Sequence, residues 1–348
     1  MRAYLGGFIL LVLFCLGAFF LLVAPADVSG KDTELARFEW TATNSAPKAY
    51  PVRLLRGDLI LADGSALYVP DNRTINHGWG VPGATHIVGE AEKALPVNLS
   101  ATWFSYVEDK FYTVDTQLPL DVIQGFAEKR IESPQRGTKH VFNRLIFGFG
   151  PEGEGAIWVS GHANAIDVFR FKGTEAPIEW TELIDNPDIS RSDFISRVLD
   201  STLGPQAAQD ALRTGYQIGT WPRRQQRWTW DLSVTGAAEI SLLKFAALNG
   251  EVFHFFNDLE PNVEHTRYGA PHEILIHWKG GAGQSRSATL TFDAGETLAA
   301  FEDLAATGDA ITLHIELSES ANALAVSLET ADVIYEFEQV QTDIYSLD

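Results

Sequence analysis

Residues 102–116 read TWFSYVEDKFYTVDT, and this stretch decides the architecture of the first part of the chain. Two runs rich in aromatic and β-branched residues, Thr102–Val107 and Phe111–Thr116, flank the polar segment Glu108-Asp109-Lys110. Such runs around a short polar segment are typical of a β-hairpin. We therefore predict two antiparallel strands with a turn at residues 108–110.

A helix is predicted directly after this hairpin, over Leu118–Arg130. Pro119 suits the first turn of a helix, where its missing N–H costs no hydrogen bond. Val122, Ile123 and Phe126 recur at helical spacing and form an apolar stripe. We expect this stripe to cover one face of the sheet that contains the hairpin.

Strand-like runs recur on both sides of a middle segment of different character. Residues 173–226 carry helical stretches at Ser192–Leu199 and Pro205–Arg213, with Gly204-Pro205 as a breaker. The predicted organisation is a first β-rich domain (37–172), a helical connector (173–226) and a second β-rich domain (227–348).

The two β-rich regions share an order of features. The matching positions are Trp103 with Trp278, Ile123 with Leu298, Phe126 with Phe301, and Ala62-Asp63-Gly64 with Leu248-Asn249-Gly250. The shared order favours an internal duplication over coincidence, so the second region is predicted to be a diverged repeat of the first. The predicted fold class is α+β and β-rich, with two similar, mostly antiparallel β-sheet domains that each carry one packed helix.

The N-terminus carries a long apolar segment. Tyr4–Val23 contains 20 residues without a charge, which as a helix measure about 30 Å and can span a bilayer. Its length favours an uncleaved signal anchor, since the apolar core of a signal peptide usually has about 7–15 residues. Ala24-Pro25-Ala26 resembles a signal-peptidase site, so cleavage near Ala26 stays open. In both cases residues 1–26 are the targeting segment, and Arg2 keeps the N-terminus in the cytoplasm.

Charge and cysteine content indicate the compartment and the partner. The formal net charge of −20 disfavours nucleic acid and favours solubility or a cationic partner. Cys15 is the only cysteine, so the exported body has no disulfide, as is usual for a periplasmic protein of bacteria. We expect the bacterial cell envelope, with the body in the periplasm. Membrane contact is expected through residues 4–23 only.

Signatures of catalysis are missing from the sequence. Residues 148–153 (GFGPEG) match the letters of a dinucleotide fingerprint, but Pro151 removes an amide donor and a strand-like run follows, so we predict a hairpin turn. The nine histidines show no metal-ligand spacing, and no Gly-x-Ser-x-Gly elbow is present. We predict no catalytic residue, metal or cofactor, although scattered carboxylates leave a glycosidase-type enzyme open.

Two stretches are candidate binding elements. Residues 77–83 (HGWGVPG) place Trp79 in flexible backbone, which suits a binding loop, although such a ring can also fold back into the core. Residues 221–228 (WPRRQQRW) form a basic, aromatic patch that could contact an anionic ligand or pair with neighbouring carboxylates. The candidate site residues are His77, Trp79, Arg223 and Arg224.

A set of short motifs runs through residues 38–171. They are Tyr50-Pro51-Val52, Gly78-Trp79-Gly80, Leu95-Pro96, Trp103-Phe104-Ser105, Glu108, Lys110-Phe111-Tyr112, Leu118-Pro119, and Gly148, Pro151, Gly153 and Trp158. In these motifs the first half resembles the uncharacterised bacterial envelope proteins of domain-of-unknown-function family 2931. The second half keeps Trp278 but lacks the Lys-Phe-Tyr and Gly-Trp-Gly elements. The resemblance implies export, often with a lipoprotein signal that this chain lacks, and no established enzymatic activity. Because some members are encoded beside secreted toxins, it also implies an immunity role.

Two classes of function remain open. The first is a non-catalytic binding protein of the envelope, which neutralises a toxin or holds a protein partner. The second is an envelope hydrolase that acts on polysaccharide or lipid with carboxylates from loops. Two close acids in a deep cleft, one with a raised pKa, would favour the hydrolase. A broad acidic face with an aromatic centre would favour the binding protein.

Overall fold

Strands dominate the chain, as the alternating runs of the sequence predict. The computed structural model describes residues 35–132, 139–161, 163–184, 186, 188–236, 239–256, 266–280, 283–318 and 323–347. Within them the protein is β-rich, with five α-helices and several antiparallel sheets. No helix in these residues is long and apolar enough to cross a membrane. The predicted targeting segment, residues 1–26, lies outside them.

The first region confirms the predicted hairpin as β7 and β8, and the predicted helix as the shorter α1. Its elements are β1 (Phe38–Glu39), β2 (Thr41–Ser45), β3 (Val52–Leu61), β4 (Ala66–Tyr68), β5 (Thr74–Ile75), β6 (Glu92–Lys93), β7 (Pro96–Ser105), β8 (Lys110–Gln117), α1 (Leu120–Glu128), β9 (Arg130–Glu132), β10 (Lys139–Val141), β11 (Arg144–Phe149), β12 (Glu154–Gly161), β13 (Asn164–Lys172) and β14 (Thr174–Glu175).

The remainder of the chain consists of three helices and a second β-rich region. The helices are α2 (Arg191–Leu203), α3 (Pro205–Thr214) and the short α4 (Thr220–Arg224), which the sequence did not predict. The second region comprises β15 (Arg227–Thr235), β16 (Glu239–Ala247), β17 (Val252–Phe256), β18 (Thr266–Gly269), β19 (Pro271–Lys279), β20 (Ser285–Phe292), α5 (Ala294–Ala305), β21 (Ile311–Leu317), β22 (Leu324–Glu329), β23 (Ile334–Glu336) and β24 (Val340–Ser346).

Three larger sheets form the framework. One has nine strands in the order β2-β11-β12-β13-β17-β16-β19-β20-β24, so it contains strands from both regions. A second sheet, with the order β14-β8-β7-β3-β4, belongs to the first region, where β5 also pairs with β3. A third, β18-β15-β21-β22-β23, belongs to the second region. The two regions meet in the nine-stranded sheet at one pair, Ala165 with Val252.

Strand pairing follows the same order in both regions. In the first, β2 runs parallel to β11, which continues antiparallel to β12 and β13. In the second, β15 runs parallel to β21, which continues to β22 and β23. Likewise β3 pairs with β4 and β7, and β7 with β8, while β16 pairs with β17 and β19, and β19 with β20.

The likeness extends to irregularities of the strands. The β3–β7 pairing shifts register between Leu54 and Arg56, beside the partner of Trp103. The β16–β19 pairing shifts between Ile240 and Leu242, beside the partner of Trp278. A β-bulge at the same place relative to each tryptophan bends the two sheets alike.

Each region has its own apolar core between its sheets and its helix. Trp103 and Trp278 are 0% and 1% exposed, and each lies at the centre of one core. In α5, Leu298 and Phe301 are buried as predicted. In α1, Ile123 is buried and Phe126 packs against the core, but the assignment of Val122 to the apolar stripe was wrong. Val122 is 44% exposed, and Ala127 occupies the inward position instead.

The helices of the connector pack on the outer face of the first region. Phe104 and Phe111 point away from the main core because neighbouring residues of a strand alternate between faces. They form a separate apolar cluster with Ile195 and Leu199 of α2 and Ala208 of α3. The sheet β14-β8-β7-β3-β4 is therefore covered on both faces.

The glycine-rich segment 148–153 is a turn between β11 and β12, as predicted. Glu152 adopts the left-handed conformation at φ +56°, and its backbone N–H donates to both carboxylate oxygens of Glu108, at 3.0 and 3.1 Å. The hydroxyl of Tyr112 donates to the same carboxylate at 2.9 Å, and Trp103 Nε1 donates to the Gly150 carbonyl at 3.1 Å. The motif residues around the hairpin therefore have a structural role, since they hold this turn in place.

Candidate functional site

A cavity of about 370 Å³ opens where the 77–83 loop, helix α4 and strands β16 and β19 meet. We call it the Trp79 pocket. Aromatic rings reach it from Tyr50, Trp79 and Trp221. Its charged or titratable lining residues are Lys48, Arg224, Lys244, His272 and Glu273. Its size and mixed lining are typical of a site for a small ligand.

Trp79 is fixed by its neighbours. Its ring packs edge-on against Trp158 and Trp221, with centroids 4.9 and 5.1 Å away. Its Nε1 donates to Oε1 of Gln225 at 3.1 Å. The side chain is half-buried, so it folds against the core and still lines the pocket.

The loop that carries Trp79 approaches the second region closely at Gly80. This residue has φ +72°, and a Cβ there would lie 2.2 Å from the carbonyl oxygen of Gly250. Only glycine fits such a position without displacing the turn between β16 and β17. The loop is therefore seated against the second region by backbone packing.

Tyr50 and Trp221, which line the pocket next to Trp79, are also held in place by their neighbours. Tyr50 packs edge-on against Trp221, with centroids 5.6 Å apart, and against Tyr216 at 5.4 Å. The Tyr216 hydroxyl donates to Glu152 at 2.6 Å and accepts from the Trp221 N–H at 3.0 Å. Burial and Glu152 both raise the pKa of Tyr216, which keeps it a neutral donor. Glu108 holds the 148–153 turn in place, and Glu152 of that turn holds Tyr216. The turn therefore also fixes the aromatic side chains that line the pocket.

The pocket has an excess of positive charge. Lys244 pairs with Glu273 at 2.8 Å. Within the described part of the chain, Lys48 and Arg224 have no carboxylate within ion-pair distance. The Arg224 guanidinium lies 5.8 Å from the Trp221 ring, and its buried Nε has no hydrogen-bond partner there. Three cations therefore face one carboxylate, in a chain whose formal net charge is −20.

His272 lies among these charges. Burial lowers the pKa of its imidazole; Glu273 opposes that shift, and Arg224, Lys48 and Lys244 add to it. The side chain retains exposed surface at the mouth of the pocket. A neutral imidazole is favoured there because a fourth positive charge would be repelled by the other three.

The predicted site residues separate into two pairs. Trp79 and Arg224, which are far apart in sequence, line the same pocket. Arg223 points elsewhere and forms two hydrogen bonds with Glu302, at 3.0 and 2.6 Å. His77 is exposed and is not among the residues that line the cavity. The expectation that residues 221–228 pair with neighbouring carboxylates therefore holds for Arg223 and Arg227, but, among the described residues, not for Arg224.

Sequence reasoning missed Lys48, Lys244 and His272. Lys48 stands just after β2, and the other two lie in the second region, on β16 and β19. Each is an isolated polar residue within or beside a strand, and no local motif marks it. The bridge between Ala46 and Gly78 places Lys48 beside the Trp79 loop, whereas Lys244 and His272 lie on strands that join the first region through the pairing of β13 with β17.

A larger cavity, about 890 Å³, is lined by strand β13 and by residues of the 222–228 segment. Beside it, Asp167 and Glu251 are 3% and 4% exposed and share Arg227, at 3.5 and 2.7 Å. Arg170 also pairs with Asp167, at 2.6 Å. Burial raises the pKa of both acids, whereas the arginines lower it.

These two acids do not form the catalytic pair that a hydrolase requires. Both carboxylates are bonded to arginines, and Asp167 lines the cavity whereas Glu251 does not, so the two acids do not face a substrate together. Asp167 belongs to β13, Arg227 to β15, and Glu251 to the β16–β17 turn. Their network ties the two regions together beneath the pocket.

The architecture and the pocket define a β-rich protein with two similarly paired regions and a cationic, aromatic-lined cavity between them. The chain belongs to the family described as "Protein of unknown function (DUF2931)", whose model matches residues 27–215, more than half of its length. The match extends past the motifs of residues 38–171 and ends directly after α3. No curated protein and no solved structure matches the chain.

The extent of the match has a structural basis. Helices α2 and α3 cover Phe104 and Phe111, so residues up to 215 complete the fold of the first region. Lys48, Tyr50 and Trp79 lie within the matched residues, whereas Trp221, Arg224, Lys244 and His272 lie outside them. The pocket is therefore built partly from the family region and partly from the rest of this chain.

Proposed function

We propose that this protein is a non-catalytic binding protein of the bacterial cell envelope, and that the Trp79 pocket takes an anionic ligand. The observation that carries the proposal is the presence, beside fixed aromatic side chains, of two cations that have no carboxylate partner among the described residues, Lys48 and Arg224. In so acidic a chain, carboxylates to neutralise them are plentiful. Cations held apart from these acids can bind an anion through charge-assisted hydrogen bonds, roughly twice as strong as neutral ones.

The placement in the envelope rests on Tyr4–Val23 and Arg2, which orient the body towards the periplasm. We propose that the body is anchored there or released near Ala26. Fusions of alkaline phosphatase and of a fluorescent protein at Asp348 test this orientation. A fluorescent, phosphatase-negative result would overturn it.

A protein partner is a separate part of the proposal. The overall charge of −20 supports a cationic partner on the surface, such as a toxin that an immunity protein neutralises. Affinity capture from envelope extract at low and high salt tests this. A partner of this kind is released as salt rises, because exposed charges are screened.

We also propose that residues 37–172 and 227–348 are diverged copies of one ancestral domain, joined by residues 173–226. The repeated pairing order and the matched bulges beside Trp103 and Trp278 support this. Superposition of an experimentally determined structure on itself tests the proposal. It fails if β7 and β19 do not superpose when β2 is placed on β15.

Binding of a probe pair tests the ligand proposal. Naphthalene-2-sulfonate is flat and anionic, and naphthalene-2-sulfonamide has nearly the same shape without the charge. By calorimetry on the full chain we expect one site for the sulfonate and at least tenfold weaker binding of the sulfonamide. Arg224→Ala should weaken sulfonate binding at least tenfold, since hydrogen bonds to charged groups contribute about 1.5–3 kcal/mol.

Arg223→Ala is the matched control. It removes the neighbouring arginine, which is paired with Glu302 and lies outside the pocket lining. Sulfonate affinity should stay within twofold of the unmodified protein. Equal affinities for the two probes, or equal losses in the two variants, would overturn the assignment of the pocket.

A further inference from the structure

We infer that the ligand of the Trp79 pocket is an amphipathic anion, with one acidic group on a flat apolar body, and that it binds together with a proton on His272. This rests on the proposed function, because it specifies the ligand class and the regulation of the same pocket.

The apolar body is indicated by the aromatic surface. Trp221 contacts both Trp79 and Tyr50 edge-on, so the three rings form one aromatic wall of the pocket, in which Trp221 is buried and Trp79 and Tyr50 keep exposed surface. The rest of the lining includes aliphatic side chains such as Val81 and Leu248. A ligand that displaces water from this wall gains the favourable free energy of apolar burial. A small inorganic anion such as chloride would leave the wall wet.

The acidic group is indicated by three cations that line the pocket from separate elements. Lys48 follows β2, Arg224 ends α4, and Lys244 lies on β16, yet all three line the same pocket as His272 and lower its pKa. Arg224 also lies over the Trp221 ring and thus joins the cationic cluster to the aromatic wall. A ligand whose ring rests on that wall can therefore place its acidic group beside His272.

The uptake of a proton by His272 on ligand binding follows from the charges around its imidazole. Without a ligand, burial and three cations favour the neutral form of His272. Glu273 favours the protonated form, but Glu273 is itself paired with Lys244. The three cations repel a proton on the imidazole. A bound anion offsets their repulsion and adds a charged hydrogen-bond acceptor, which raises the pKa of His272. Protonated imidazole then contributes a further charged donor to the anion.

The expected consequence is pH-dependent binding. A group whose pKa rises on binding takes up a proton, so affinity increases as pH falls through the range between the free and bound values. One unit of pKa difference corresponds to about a tenfold change in affinity. We expect the sulfonate probe to bind about tenfold more tightly at pH 5 than at pH 8. The sulfonate remains ionised throughout, so the change comes from the protein.

Calorimetry on the full chain tests this in buffers of different ionisation enthalpy. The observed enthalpy should vary with the buffer near pH 6 and report uptake of a fraction of one proton per sulfonate. In His272→Gln, sulfonate should still bind at pH 8, but the proton uptake and the rise in affinity at low pH should disappear. His277→Gln is the control. His277 lies on the same strand and its pKa is also lowered by burial, but it does not line the pocket.

The possible results distinguish failure of the proposed anion-binding function from failure of the inference about His272. If sulfonate does not bind at any pH, the proposed function fails and this inference fails with it. If sulfonate binds through Arg224 but with a pH-independent affinity, only the inference fails. It also fails if His272→Gln keeps the proton uptake, or if His277→Gln loses it.

Discussion

The two β-rich regions pair their strands alike but differ on the outer face of one hairpin. In the first region Phe104 pairs with Phe111, and both are buried beneath α2 and α3. At the same place relative to the core tryptophan, the second region pairs Lys279 with Ser285, and Lys279 is exposed. The inner face is apolar in both regions, with Trp103 and Trp278 at the centre.

This difference shows on which face of the sheet the choice of residue types is restricted. The inner face holds a core, so its residue types are limited by packing. The outer face in the first region is used to dock helices, whereas in the second it carries polar side chains. Lys244 alternates with the buried Leu243 and Phe245 along β16, so it lies on that outer face and reaches the Trp79 pocket. The second region thereby supplies charged groups that a helix-covered face could not present.

The largest effects are expected where the regions are alike. Trp103→Ala and Trp278→Ala should each cost about 3–5 kcal/mol of unfolding free energy, since both rings are fully buried. Urea denaturation of each variant measures the loss. Tyr345→Ala, at a side chain that is 50% exposed, is the control and should change stability little. A loss below 1 kcal/mol at either tryptophan would show that the two cores are not equivalent.

The next largest effect should distinguish the outer sheet face of the first region from that of the second region. Phe104→Ala should cost about 3–5 kcal/mol, because the ring is fully buried among Phe111, Tyr106 and Trp180. Lys279→Ala, at the corresponding exposed position, should stay within about 0.5 kcal/mol of the parent. The same denaturation series measures both. Comparable losses would mean that the outer face of the second region is covered as well.

Local patterns predicted most of the framework. The hairpin at residues 102–116, the helix after it and the turn at 148–153 each depend on neighbours in sequence, and each was predicted near its observed bounds. Val122 was misassigned because an apolar residue at the edge of a short helix fits the stripe by type. The five-residue helix α4 is too short to show periodicity, so the sequence gives no signal for it.

The pocket was predictable only in part. Trp79 and Arg224 stood out because an aromatic among glycines and a basic run in an acidic chain are unusual compositions. That they meet depends on the contacts of Trp79 with Trp221 of α4 and with Gln225, residues more than 140 positions away along the chain. Arg223 and Arg224 are adjacent in sequence, yet only one has a carboxylate partner, and this depends on the position of Glu302 on α5. Such long-range geometry is not encoded in any local window.

A smaller difference should distinguish the two core tryptophans. Trp103 Nε1 donates to the Gly150 carbonyl at 3.1 Å, whereas the buried Trp278 Nε1 has no hydrogen-bond partner among the described residues. Replacement by phenylalanine removes similar volume at both sites but a hydrogen bond only at the first. Trp103→Phe should therefore cost about 1–2 kcal/mol more than Trp278→Phe in urea denaturation. Equal costs would contradict an energetic role for this bond in holding the 148–153 turn.

The smallest expected effect concerns the start of the packed helices. In α5 the Asp293 carboxylate accepts a hydrogen bond from the Glu296 N–H at 2.9 Å, whereas α1 begins after Pro119, which provides no such cap. Asp293→Ala should cost about 1 kcal/mol, because it leaves an N–H of the first turn without a partner. Asp293→Asn retains an acceptor and should lose only a few tenths, from the charge near the helix dipole. If alanine and asparagine destabilise equally, the charge of Asp293 is what matters, and its hydrogen bond does not stabilise α5.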